Sequence, residues 1–348
     1  MAYSTINDPS AHFQTATYTG NGSTQSITNS GNSNLKPDFA WIKDLGSAFD
    51  HKLQDSTRGS TYTLESNTTT AAYNDTDAVT SFNTDGFSLG SNANVNDNTA
   101  NLVAWQWKAN GGTTSTNNDG SQPSTVQVNS TAGFSIVKRT GTGSAGATYG
   151  HGLGVVPDVI ISKGLNVNNW YSYFKGIGGG TKWLILDGDG AAVTDANMWN
   201  DTNATSSVFT VGNSGGSNGS GVDYIAYCFK PIKGYSKFGL YTGNGSTDGT
   251  FVYTGFSPAW LMIKRTDSAN SWYLIDNVRD PINVAKAELE ANTTGVEATG
   301  TNRLDILSNG FKIRTSGAAY NASGGSYVYM AFAQNPFVAT NNVAATAR

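Results

Sequence analysis

Seven residues, Tyr18-Thr19-Gly20-Asn21-Gly22-Ser23-Thr24, return unbroken as Tyr241-Thr242-Gly243-Asn244-Gly245-Ser246-Thr247. Between them lies a looser version, Arg139-Thr140-Gly141-Thr142-Gly143-Ser144-Ala145, which keeps both glycines and the serine. A chain that repeats itself this way is expected to fold as copies of one unit. Other landmarks recur in the same order. A proline-led apolar run ending in lysine appears as Pro37 to Lys43, Pro157 to Lys163 and Pro258 to Lys264. Later come Gly86-Phe87-Ser88-Leu89-Gly90, Val208-Phe209-Thr210-Val211-Gly212 and Gly310-Phe311-Lys312-Ile313-Arg314.

Each unit closes on a run in which large residues alternate with smaller or more polar ones. Val103, Trp105 and Trp107 alternate in the first, Ile225, Tyr227 and Phe229 in the second, Val328, Met330 and Phe332 in the third. A period of two is that of a strand in a packed sheet. The expectation is an all-β chain of three tandem β-sandwich repeats, jelly-roll or lectin-like, each about 90 residues, with short terminal arms. The boundaries read as an amino-terminal arm at 1–14, repeats at 15–107, 133–231 and 232–337, a polar linker at 108–132 and a tail at 338–348. The linker contains Gly111 to Ser121, too polar to bury and too rich in glycine to be stiff.

Charged residues make up 13% of the chain and the formal net charge is -4, so no basic stripe is available for a phosphate backbone, and nucleic acid is not an expected partner. Gly, Ser, Thr and Asn take the place of charge and suit turns and solvated strand faces. No run reaches the length of a membrane span and the amino terminus lacks a signal-like apolar stretch, so neither membrane insertion nor a signal peptide is expected. The single cysteine, Cys228, forms no internal disulfide and reads as a packed thiol.

Catalytic groupings are weak. Asp55 and Arg58, matched by Asp276 and Arg279, read as pairs that pin a turn, and the middle unit lacks them. Asp187-Gly188-Asp189-Gly190 reads as a glycine turn in preference to a calcium loop, and His12, His51 and His151 have no metal-ligand spacing. The sequence therefore nominates no catalytic, metal or cofactor residue. Its aromatics are the candidate ligand contacts: Trp170, Tyr171 and Tyr173 in the middle unit, Trp272 and Tyr273 in the third. Rings of this kind stack on sugars when exposed and fill sandwich cores when buried. The Asn67-Thr68-Thr69 and Asn292-Thr293-Thr294 sequons follow from composition.

Taken together, Tyr18 to Thr24, Pro37 to Lys43, Ser66 to Thr69, Asp85-Gly86-Phe87, Gly150 to Gly154 with Pro157-Asp158, and Gly324 to Phe332 make the chain resemble a family of repeat proteins of marine bacteriophages, virion or tail-fibre-like and of unknown function. The resemblance implies a non-enzymatic structural protein on the particle exterior, decorating the capsid or forming part of a head or tail fibre. A carbohydrate-binding, receptor-recognition module is the alternative. Capsid or tail proteins would be its partners, a host-surface glycan a further one, and a homo-oligomer is expected, a trimer being the first guess by analogy. Synthesis would be in the host cytoplasm. The middle unit departs by losing the Asp/Arg pair and the Asn-Thr-Thr turn.

Overall fold

The closing runs become interior strands. In a computed structural model that describes residues 4–336 and Val338, Asn101–Trp107 lies between Phe13–Thr19 and Phe39–Asp44 in a six-stranded sheet. Asp223–Phe229 lies between Phe134–Thr140 and Val159–Gly164 in an eight-stranded sheet. Ser326–Pro336 lies between Ser236–Thr242 and Phe256–Arg265 in a five-stranded one. All these pairings are antiparallel. In each sheet the proline-led strand pairs next with a short strand, Lys52–Asp55, Trp170–Phe174 or Trp272–Asp276. Registers correspond: Trp41 faces Trp105, Ile161 faces Tyr227, and Met262 faces Met330.

Smaller sheets cover one face of each large sheet, built on Phe87–Leu89, Val208–Val211 and Gly310–Ile313. The chain is thus all-β with sandwiched sheets, and its helices are single turns. Among the described residues no helix is long and apolar enough to cross a membrane.

The period of two sorts each closing strand between two cores. Leu102 and Ala104, Ala226 and Cys228, and Tyr327, Tyr329 and Ala331 point into three separate clusters, one inside each sandwich. Val103, Trp105 and Trp107, Ile225, Tyr227 and Phe229, and Val328, Met330 and Phe332 point the other way, into one cluster shared by all three segments. There Phe39 stacks on Tyr227 with centroids 4.2 Å apart, Trp107 meets Trp260 at 5.5 Å, and Phe229 meets Phe332 at 5.8 Å. At roughly 25 cal/mol per Å² of apolar surface, this shared centre is a large part of what holds the fold.

Several sequence boundaries look different in this light. Residues 4–12, read as an arm, are packed: Ile6 joins the shared core and Asp8 caps a short 3₁₀ turn at Pro9–Ala11. The 108–132 stretch, read as a linker, contributes Ser115–Asn117 and Ser124–Asn129 to the eight-stranded sheet. The tail at 338–348 lies outside the described residues apart from Val338.

The recurring glycine motif is a loop clamped by a buried asparagine. Asn96 Oδ1 accepts from Asn21 N, Asn218 from Thr142 N and Asn321 from Asn244 N, each at 2.9 Å. A Cβ on Gly20, Gly141 or Gly243 would meet a carbonyl oxygen at 2.0 to 2.3 Å, so only glycine fits. Gly22, Gly143 and Gly245 have φ of 66°, 75° and 70°.

Candidate functional site: the junctions between segments

The most elaborate polar chemistry lies where one segment meets the next. The lysine that ends each proline-led strand is buried and donates from Nζ to a carbonyl of a neighbour: Lys43 to Thr294 at 3.2 Å, Lys163 to Thr69 at 3.0 Å, Lys264 to Asp189 at 3.0 Å. First joins last, middle joins first, last joins middle. Burial is the main cause that pushes all three ammonium groups down to about 8.

Beside the lysines, at corresponding register positions, sit His51, Trp170 and Trp272, all fully buried. Each places a ring nitrogen 2.7 to 3.0 Å from a carbonyl of the same neighbouring segment: His51 Nε2 at Glu290, Trp170 Nε1 at Glu65 and Trp272 Nε1 at Ile185. His51 Nδ1 accepts from Trp41 Nε1 at 2.9 Å, which fixes the neutral ring with its proton on Nε2. Burial first, then the nearby Lys43, pushes His51 down to about 3.

The acceptor loops are held alike. Asn67, Asp187 and Asn292 each accept at Oδ1 from the backbone N–H of His51, Trp170 and Trp272, at 2.8 to 3.0 Å. Asp187-Gly188-Asp189 therefore occupies the place of the Asn-Thr-Thr turn, and neither a bare glycine turn nor a loss of the feature describes it.

A further bond crosses two of the three junctions. Asp55 accepts from Thr57 N, Arg58 N and Arg58 Nε at 3.0, 2.8 and 2.5 Å, and from Tyr227 Oη of the middle segment at 2.8 Å. Asp276 accepts correspondingly from Val278 N, Arg279 N and Arg279 Nε, and from Trp105 Nε1 of the first segment at 3.0 Å. In the middle segment the place of the aspartate is taken by Phe174, and in the last segment the place of Trp105 and Tyr227 is taken by Met330. The carboxylate is missing where its donor is missing. Asp55 and Asp276 are fully buried and saturated with donors, so they fasten segments and offer no lone pair to a substrate.

The aromatics nominated from sequence lie inward. Trp170, Tyr173, Trp272 and Tyr273 are buried and present no open face for a sugar, and Tyr171 is half-buried against Trp183. Sequence reasoning missed the junction lysines. The signal was present in a lysine ending three apolar strands. Cys228 is buried in the middle sandwich with its thiol pushed up to about 12 by burial, inert as a nucleophile.

Open polar surface gathers at the first/last junction, where a groove of about 480 Å³ is lined by Asp44, Ser47, Asp97, Asn98, Asn101 and Glu297. Asp44 accepts at Oδ1 from Gly46 N and Ser47 N, at 2.8 and 2.7 Å. Glu297 accepts from Arg279 at 2.9 Å.

No curated protein and no solved structure matches the chain. A family model matches residues 8–336, from the turn before the first strand to the end of the last, and on that match the chain belongs to the family defined by a domain of unknown function, DUF7483.

Proposed function

We propose that the protein is three versions of one unit closed around a common centre, and that it serves as a non-enzymatic structural component on the exterior of a bacteriophage particle, as capsid decoration or part of a fibre. The observation that carries this reading is the use of the buried chemistry. Lysines, tryptophans, aspartates, His51 and Tyr227 of the interior join one segment to the next, which favours a rigid body whose function lies in its surface. Ser4 and Pro336 both flank Gly234, so these two residues near the limits of the described chain lie side by side, which favours attachment at one pole. Capsid or tail proteins are the partners on this reading. The test is mass spectrometry and labelled imaging of purified virions, in which the protein is expected in stoichiometric copies at an external position. A protein found only in the infected cell and absent from particles would overturn it.

A second reading, glycan binding at a host surface, is favoured by the polar groove of Asp97, Asn98, Asn101 and Glu297, whose amides and carboxylates suit hydroxyl groups. A glycan array answers it: Asn101→Ala should abolish any signal without changing stability.

A further inference from the structure

The three junctions are not equally covered. At the junction of first and middle segments, Ser124–Asn129 pairs antiparallel with the edge strand Phe134–Thr140. Its Gln127 reaches across to donate to Ser56 Oγ and Thr57 Oγ1, at 2.9 and 2.8 Å. The residues just before it seal the small-sheet edge too: Gln122 N donates to Thr148 O at 3.1 Å and Ser124 Oγ to Gly150 O at 2.7 Å. At the junction of first and last segments, the loop around Gly31 lies over the edge strand Phe13–Thr19. Gly31 N donates to Gln14 Oε1 at 2.9 Å, and Gln14 Nε2 donates to Ser33 O at 2.8 Å.

The corresponding edge of the last segment, Ser236–Thr242, is bare over most of its length. A turn at Ile232 covers Ser236. Beyond it, among the described residues, no strand pairs with the outer side. A cleft of about 290 Å³ lies behind it, walled by Phe174, Phe238 and Val328. Leu240 lies against Gly176 of the Lys175–Ile177 turn and is still 47% exposed, and Phe251 and Tyr253 on the adjoining small-sheet edge are 44% and 47% exposed. Exposed edges are commonly guarded by an outward lysine. Here Lys237 is drawn aside, donating to Tyr253 O at 2.6 Å and lying 5.2 Å from the Tyr253 ring.

We propose that this edge receives the same edge of a second copy of the chain, strand Ser236–Thr242 against its mate, antiparallel across a two-fold axis, so that two sheets become one. Antiparallel addition is what the chain itself performs at the corresponding edge with Ser124–Asn129. A two-fold axis makes an antiparallel edge complementary to itself. Charge permits it: the one charged residue of the strand is tied down, and Asp158 and Lys175 at the cleft, 3.6 Å apart, offset each other. The inference concerns the purified chain and holds whether or not the protein belongs to a particle.

Sedimentation velocity of the full chain over the micromolar range tests it. A reversible dimer is expected, weakened about a hundredfold by Leu240→Lys combined with Phe251→Lys, since exposed anchors at an interface centre carry much of its energy. Thr242→Lys, a polar-to-charged change at an exposed position of the same edge, should weaken it as well. Both variants should melt with the parent. Leu240→Cys should form an interchain disulfide on mild oxidation, whereas the parent, whose Cys228 is buried, should not. A chain that stays monomeric throughout overturns the proposal, as does a dimer indifferent to both lysine variants. A chain ended at Pro336 that dimerises when the full chain does not would place residues 337–348 on the edge and also overturn it.

Discussion

Trp105 Nε1 donates to Asp276 Oδ2 at 3.0 Å, joining residues 171 positions apart, both fully buried. Tyr227 and Asp55 do the same between the middle and first segments. Trp105→Phe should keep most of the packing and deprive Asp276 of one donor, at about 1–3 kcal/mol. Trp105→Ala should cost more, about 3–5 kcal/mol, because a cavity is added. Chemical denaturation of the two variants measures the difference. Equal losses would mean the hydrogen bond contributes nothing beyond the ring.

A core shared by three segments does not come apart in thirds. Cleavage near Asn110 to Thr113, the exposed stretch before Ser115–Asn117, should leave the fragments associated on gel filtration. Calorimetry should show one transition, with equal van't Hoff and calorimetric enthalpies. Release of a folded first segment, as a string of independent modules would give, is the contrary result.

His51 sets the response to acid. Its folded pKa of about 3 lies far below its ordinary value of 6.5, so between the two the unfolded chain binds a proton that the folded chain refuses. Stability therefore falls as pH drops from 6.5 toward 3, and the lowered His12 and His151 act in the same sense. His51→Gln, which keeps one donor and one acceptor and does not titrate, should flatten this slope in thermal melts.

The junction lysines set the alkaline response. Their folded pKa of about 8 lies below the ordinary 10.5, so the penalty of holding a buried charge is present below 8 and disappears as pH rises toward 10.5. The melting temperature should rise from neutral pH to about 9.5, before raised tyrosines such as Tyr241 and Tyr320 reverse the trend. Lys264→Met should remove part of the rise. A melting temperature that falls over this range would show that the charged amines hold the junctions better than burial penalises them.

Arg139 occupies the place that Tyr18 and Tyr241 hold in the other segments. Those tyrosines donate to Val95 O and Tyr320 O, and Arg139 donates to the corresponding Ser217 O at 2.5 Å. It lies between Tyr149 and Tyr224 with no carboxylate paired to it among the described residues, and burial pushes it down to about 10. Arg139→Tyr should satisfy the carbonyl without a buried charge and raise stability by about 1 kcal/mol. A lower melting temperature would assign the guanidinium a stacking role that a phenol cannot replace.

The all-β character was legible because alternation in Leu102 to Trp107 and its counterparts is a local signal. The junctions were not, since Lys43 and Thr294, or Trp105 and Asp276, come together only through the fold. Trp170 and Trp272 looked like ligand contacts because an aromatic side chain has the same identity in a groove and in a core. A trace was nevertheless available. Asp55 goes with Tyr227, Asp276 with Trp105 and Phe174 with Met330, a matched exchange of polar for apolar that laying the segments over one another reveals. Asp187-Gly188-Asp189 reads from sequence as a glycine turn, and its equivalence to Asn-Thr-Thr is hidden because it keeps the hydrogen-bonding role and shares none of the letters.

The bond from Lys43 to Thr294 spans 251 positions of the chain. During synthesis the first segment is therefore complete long before the carbonyl that receives its lysine exists. Until then the rings that meet the last segment, Trp105 and Trp107 of the first and Phe229 of the middle, lack the partners that cover them. Contacts this remote slow folding, and exposed apolar faces invite capture by other nascent chains. The period of greatest hazard for this protein falls on the ribosome, and chaperone supply in the producing cell should govern its yield more than the stability of the finished body does.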